Sequence, residues 1–143
     1  MICAFCENKE NDERVVVENK LAKAFPTTQP IVPGHILILP KRCVSKFEDL
    51  TIGERNAVFE LMDKVKKALR KSFDCKGFNH AWNENLIAGQ TVPHFHLHII
   101  PRKKGDKGIY EYEPRKFIYR LGSRENSSQE ELLEIASIIK DNL

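Results

Sequence analysis

Apolar and polar residues alternate with a period of two along Pro93-His94-Phe95-His96-Leu97-His98-Ile99-Ile100-Pro101. This is the pattern of a half-buried β-strand, with imidazoles on one face and Phe95, Leu97 and Ile99 entering the core. Earlier in the chain, residues 14–18 and 21–25 read as short strands joined at Asn19-Lys20. Pro26, Pro30 and Pro33 exclude helix or central strand from residues 26–34, so a rigid loop leads into a third strand over 35–39, ended by Pro40. From Thr51 the period changes. Thr51-x-x-Glu54 fits a capping box, and Val58, Leu61, Met62, Val65, Leu69 and Phe73 recur at helical spacing, which predicts one long helix over 51–72. Residues 76–83 alternate again, and the stretch from Asn83 to Gln90 is the turn that returns the chain antiparallel into the histidine strand. Ser128-x-x-Glu131 opens a C-terminal helix with Leu132, Leu133, Ala136 and Ile139 on one face. Together these elements predict an α+β fold: an antiparallel sheet of about five strands with one long helix packed on it.

Length changes this picture little. At 143 residues the chain is expected to form one domain over 1–143, and its 41% hydrophobic and 30% charged residues are ordinary for a globular protein. Neither a signal peptide nor a membrane span is legible, so a cytoplasmic location is the default expectation. A formal charge of +3 does not argue for nucleic-acid binding, although Arg102, Lys103, Lys104 and Lys107 cluster after the histidine strand as a solvated loop or a local anion site. Residues 105–127 show no period, yet Tyr110, Tyr112, Phe117 and Tyr119 are too many for a disordered tail and are expected to pack on the domain or on a second subunit. Residues 7–13 are polar and read as an exposed turn or short helix.

Candidate chemistry concentrates in two places. Cys3-x-x-Cys6 at the start of the chain reads as a metal knuckle rather than a redox pair, because no strand precedes it. The alternating histidines would lie roughly 7 Å apart along a straight strand, too far for all three to hold one ion, so they should have separate jobs. With Asn83 and the backbone N–H groups of Gly89-Gln90-Thr91 beside them, they make a donor-rich surface suited to a phosphate. A neutral imidazole is a competent nucleophile at phosphorus near neutral pH, and the resulting phosphoramidate is labile enough to hydrolyse. No Walker loop is present.

His94-Phe95-His96-Leu97-His98-Ile99-Ile100, with its lead-in Gly89-Gln90-Thr91-Val92, resembles the signature of the histidine-triad (HIT) family. Residues 33–42, from Pro33-Gly34-His35 to Lys41-Arg42, resemble that family's earlier block. The resemblance implies a HIT-like fold and a nucleotide-binding hydrolase or transferase acting at the α-phosphate, commonly a homodimer. It implies that His96 is the nucleophile and that His98 donates a hydrogen bond to the phosphate or the departing oxygen. Asn83 and Thr91 would hold phosphate oxygens, Gln90 would stand near the leaving group, and His35 would orient the triad. Phe5 and Phe25 would fall around the base. Thr27 stands where family members often place Asp or Asn against the ribose, and offers one hydroxyl where a carboxylate accepts two hydrogen bonds. Zinc-containing relatives further imply a structural zinc held by Cys3, Cys6, Cys43 and His94, with Cys43 standing where those relatives have a histidine.

The reading that follows is a dinucleoside polyphosphate hydrolase, diadenosine tetraphosphate being one such substrate. An adenosine phosphoramidate hydrolase or a nucleotidyl transferase would use the same residues. A zinc-stabilised nucleotide-binding module without turnover is the non-enzymatic alternative, disfavoured because a scaffold has no need of a nucleophile flanked by oxyanion donors.

Overall fold

Residues 19–21 and 27–35 are connections too short for the crossover that parallel strands need, which favours antiparallel pairing there. The computed structural model describes residues 3–106 and 126–143 and shows that arrangement. Two short helices, α1 (Ala4–Glu7) and α2 (Lys9–Glu13), precede strands β1 (Val17–Glu18), β2 (Ala22–Pro26) and β3 (Ile36–Pro40). Helix α3 (Ile52–Phe73), strands β4 (Gly77–Ala81) and β5 (Leu97–Arg102), and helix α4 (Gln129–Asp141) follow. The strands form one antiparallel sheet in the order β1-β2-β3-β5-β4. This is the α+β fold expected, with the long helix and the C-terminal helix in place. The aromatic stretch holding Tyr110, Tyr112, Phe117 and Tyr119 lies outside the described residues. No helix among the described residues is long and apolar enough to cross a membrane.

Helix α3 starts where Thr51 caps it. The Thr51 hydroxyl accepts from the Glu54 backbone N–H at 3.1 Å, and the Glu54 carboxylate accepts from the Thr51 N–H at 2.9 Å. Its stripe of Val58, Leu61, Val65, Ala68 and Leu69 packs on Ala24, Ile36, Ile38, Leu97 and Ile99, and Ile135, Ala136 and Ile139 of α4 join the same core. The opposite face of the sheet carries Phe25, Leu37 and Leu39, covered by Phe5 and Val15. Cover on both faces explains why β3 is buried at every position instead of alternating. Gly34 turns the chain into β3 at φ +92°, and a Cβ there would stand 3.1 Å from the Phe73 ring.

Two expectations are corrected. The histidine strand begins only at Leu97, because the His94 N–H bonds to the Val92 carbonyl at 2.8 Å and the Phe95 N–H to the Val44 carbonyl at 2.6 Å, taking both out of the sheet ladder. The strand expected over 14–18 is confined to Val17–Glu18, and Arg14 is instead a buried side chain at 1% exposure, in a segment read as exposed up to residue 13.

Candidate functional site

Register brings the second and third histidines together with residues distant in sequence. Leu37 of β3 pairs with His98 of β5 and with Phe25 of β2, so these three share the sheet face that looks away from α3. The turn from β4 to β5 carries Asn83, Gly89 and Thr91 over the same face, and α1 lays Phe5 against His96 with ring centroids 4.9 Å apart. Between them lies a cavity of about 190 Å³ lined by Phe5, Phe25, Thr27, Asn83, Thr91, His96 and His98, among others.

Backbone partners fix the imidazole tautomers. His96 Nδ1 lies 2.7 Å from the His94 carbonyl, which can only accept, so Nδ1 carries the proton and Nε2 keeps its lone pair. Burial pulls the His96 pKa down to about 4, so the ring is neutral at neutral pH. The Ile31 N–H donates to His35 Nδ1 at 3.1 Å, which puts the His35 proton on Nε2, and Nε2 lies 2.9 Å from His98 Nδ1. His98 therefore accepts at Nδ1 and carries its own proton on Nε2. His35 itself is 1% exposed and stands behind His98, outside the cavity lining.

Both ends of the Gln90 amide are engaged within the protein. Its Oε1 accepts from the Asn85 N–H at 3.0 Å and its Nε2 donates to the Ser45 carbonyl at 2.7 Å, so both ends of the amide tie the β4–β5 turn to the segment after β3. Gln90 is not among the residues that line the cavity, and its amide lies in the frame of the loop. Asn83 does line the cavity, its Nδ2 donating to the Gly89 carbonyl at 3.5 Å. Among the lining residues that the sequence does not single out are Asn8, Asn11 and Arg14, because a run of polar residues with no period carries no signal that it faces a cavity.

His94 faces away from this cavity into a second cluster. Its Nε2 donates to the Pro40 carbonyl at 2.7 Å, leaving the Nδ1 lone pair 3.4 Å from Cys3 Sγ and 3.6 Å from Cys6 Sγ. With Cys43 the four ligand atoms lie within 4.8 Å of one another. Ligand atoms around a tetrahedral zinc are separated by roughly 3.3–3.8 Å, so three sulfurs and one correctly tautomerised imidazole fit such an ion. Burial, then the charge and hydrogen bond of Cys3, pushes the Cys6 thiol up to about 12, and the same causes raise Cys43. Burial also opposes ionisation of Cys3, but hydrogen bonds from Cys6, Cys43 and Phe5 outweigh it and lower its pKa. Sulfurs that resist ionising together are the setting a bound cation relieves.

Comparison with known proteins agrees with this geometry. The HIT domain family profile matches residues 8–105. A Schizosaccharomyces pombe protein named bis(5'-nucleosyl)-tetraphosphatase [asymmetrical] is 43% identical over 93 residues, covering 65% of this chain and 51% of that one. The chain thus spans about half the length of such curated relatives. A Dictyostelium discoideum protein named bis(5'-adenosyl)-triphosphatase is 33% identical over 123 residues, covering 85% of this chain and 79% of its own length. Among solved structures, a Hit-like protein from Bartonella henselae superposes with a TM-score of 0.74 at 29% identity, over 90% of this chain and 85% of that one. With the family profile spanning most of the chain and the histidines arranged as described, this chain belongs to the HIT domain family.

Proposed function

We propose that this protein is a hydrolase of dinucleoside polyphosphates, diadenosine tetraphosphate among them, cleaving at the α-phosphate through a nucleotidyl-histidine. The observation that carries this reading is the His96 imidazole: neutral, with Nδ1–H held by the His94 carbonyl at 2.7 Å and the Nε2 lone pair left for attack. His96 Nε2 forms a bond to the α-phosphorus while the bond to the departing phosphate oxygen breaks, and the nucleoside polyphosphate leaves with that electron pair. Water then attacks the same phosphorus, the P–N bond breaks, and a nucleoside monophosphate is released with His96 restored. His98 donates through Nε2–H to the phosphate or the departing oxygen, its orientation maintained by His35. Asn83 and Thr91 hold phosphate oxygens from the β4–β5 turn, and Phe5, Phe25 and Thr27 face the nucleoside. The names of the S. pombe and Dictyostelium relatives, a tetraphosphatase and a triphosphatase of dinucleotides, support the substrate class.

The Cys3, Cys6, Cys43 and His94 cluster is read as a structural zinc site, in which the ion supplies a cross-link between α1, the end of β3 and the approach to β5. Residues 1–143 are read as one HIT domain that pairs as a homodimer. Among the described residues β4 is an edge strand of the sheet, which supports pairing there.

A turnover panel of dinucleoside polyphosphates, adenosine phosphoramidates and sugar nucleotides, with intact-protein mass analysis of quenched reactions, tests the enzymatic reading. Release of a nucleoside monophosphate from the dinucleotides and a nucleotidyl adduct on His96 are expected. Absence of turnover across the panel overturns it.

A further inference from the structure

The cavity end beyond the two phenylalanines is polar, and two of its amides are oriented in the same sense. Contacts run from His96 to Phe5, from Phe5 to Phe25 at 5.8 Å between ring centroids, and from Phe25 to the Arg14 guanidinium at 5.4 Å. The rings therefore separate the reacting imidazole from Asn8, Asn11 and Arg14, which line the same cavity. Asn11 is 3% exposed, and its Oδ1 accepts from Arg14 Nη2 at 2.5 Å. A guanidinium can only donate, so the amide is oriented with its oxygen on Arg14 and its Nδ2 hydrogens as the group left for the cavity. Asn8 is oriented in the same sense, because its Oδ1 accepts from the Glu10 backbone N–H at 3.0 Å. Neither amide nitrogen has an acceptor among the described residues. Among the described residues Arg14 is hydrogen-bonded to neutral oxygens, the Pro26 carbonyl at 2.9 Å, Gln129 Oε1 at 3.0 Å and Asn11, so its charge strengthens donation from this end.

We infer that Asn8 and Asn11, with Arg14 behind them, read the base of the bound nucleotide and select a 6-oxopurine, guanine or hypoxanthine, over adenine. The inference rests on the nucleotide-hydrolase reading above and deepens it. Two amide nitrogens presented side by side need a ligand edge made of acceptors. Guanine presents O6 and N7, both acceptors, on one edge; adenine presents N7 beside the N6 amino donor. Against these amide nitrogens adenine sets its N6 amino donor against a donor, and the cost falls on the buried Asn11.

Calorimetric titration of the protein with GMP, IMP and AMP, the products of the proposed reaction, tests this. GMP and IMP are expected to bind about tenfold tighter than AMP. Asn11→Asp keeps an acceptor for Arg14 and replaces the amide nitrogen by an oxygen that accepts, so it should shrink or invert the GMP/AMP ratio; Asn8→Asp, which retains the helix cap, should move it the same way. AMP binding as tightly as GMP to the parent protein overturns the base assignment while leaving the hydrolase reading intact. A ratio unchanged in both folded variants overturns the role of the two asparagines. Failure of all three mononucleotides to bind overturns the nucleotide reading itself, and the base assignment with it.

Discussion

His96 acts on phosphorus only if one particular nitrogen is free, and that is decided by a single backbone carbonyl, His94 O, 2.7 Å from Nδ1. His96→Asn removes the nucleophile and retains a polar side chain of smaller volume. Turnover of a dinucleoside polyphosphate should fall by several orders of magnitude while mononucleotide binding by calorimetry persists. Asn83→Ala removes one donor to the phosphate, and kcat should drop by about 10²–10³-fold. Retention of parent-like turnover in His96→Asn would place the chemistry elsewhere. At this scale the sequence displays which residues are chemically capable, since alternating histidines beside Gly89-Gln90-Thr91 stand out on pattern alone. It does not display which end of a side chain meets what. Gln90 sits in the same motif as Thr91, yet its amide is consumed by Asn85 and Ser45.

Elements show the opposite balance. Helix α3 was legible from Thr51-x-x-Glu54 and its apolar stripe, because capping and amphipathicity are local. The structure adds Arg42, whose Nη2 lies 2.7 Å from the buried Glu54 carboxylate and lowers its pKa from the ordinary 4.5. A carboxyl group with a depressed folded pKa adds stability that is present above its unfolded value. That stability is lost as pH falls from 4.5 through the lower folded value. Urea unfolding from about pH 6 to about pH 3 should therefore show a steeper acid loss in the parent than in Glu54→Gln. Thr51→Ala should destabilise by about 1 kcal/mol at neutral pH through loss of the cap. Strand β5 was read too long at its start because the alternation His94-Phe95-His96 does not report whether the backbone N–H groups are free to join a ladder.

At the scale of the whole molecule, the proposed zinc site draws on three separate parts of the chain: Cys3 and Cys6 around α1, Cys43 after β3, and His94 before β5. Because α1 also carries Phe5 against His96, loosening the cluster should loosen one wall of the cavity. Protein purified without chelator should contain about one zinc per chain, and a strong chelator should lower Tm measurably. Well under one zinc per chain, with no change in Tm, would remove the site. Sedimentation at micromolar concentration should give a dimer, and a monomer would rule out pairing at the β4 edge. The fold class, the helix spans, the histidine proposed as nucleophile and the Cys3, Cys6, Cys43 and His94 set were all accessible from sequence, because each rests on a local period, a capping motif or a short motif. The tautomers of His96 and His98, the turning of Gln90 into the loop, the burial of Asn11 and Arg14 and the place of Asn8 beside them at the cavity were decided by tertiary structure alone. The physical reason is that hydrogen-bond direction and burial depend on partners far away in sequence. Arg14 is held by Pro26 and by Gln129, and no periodicity within residues 7–14 encodes either contact.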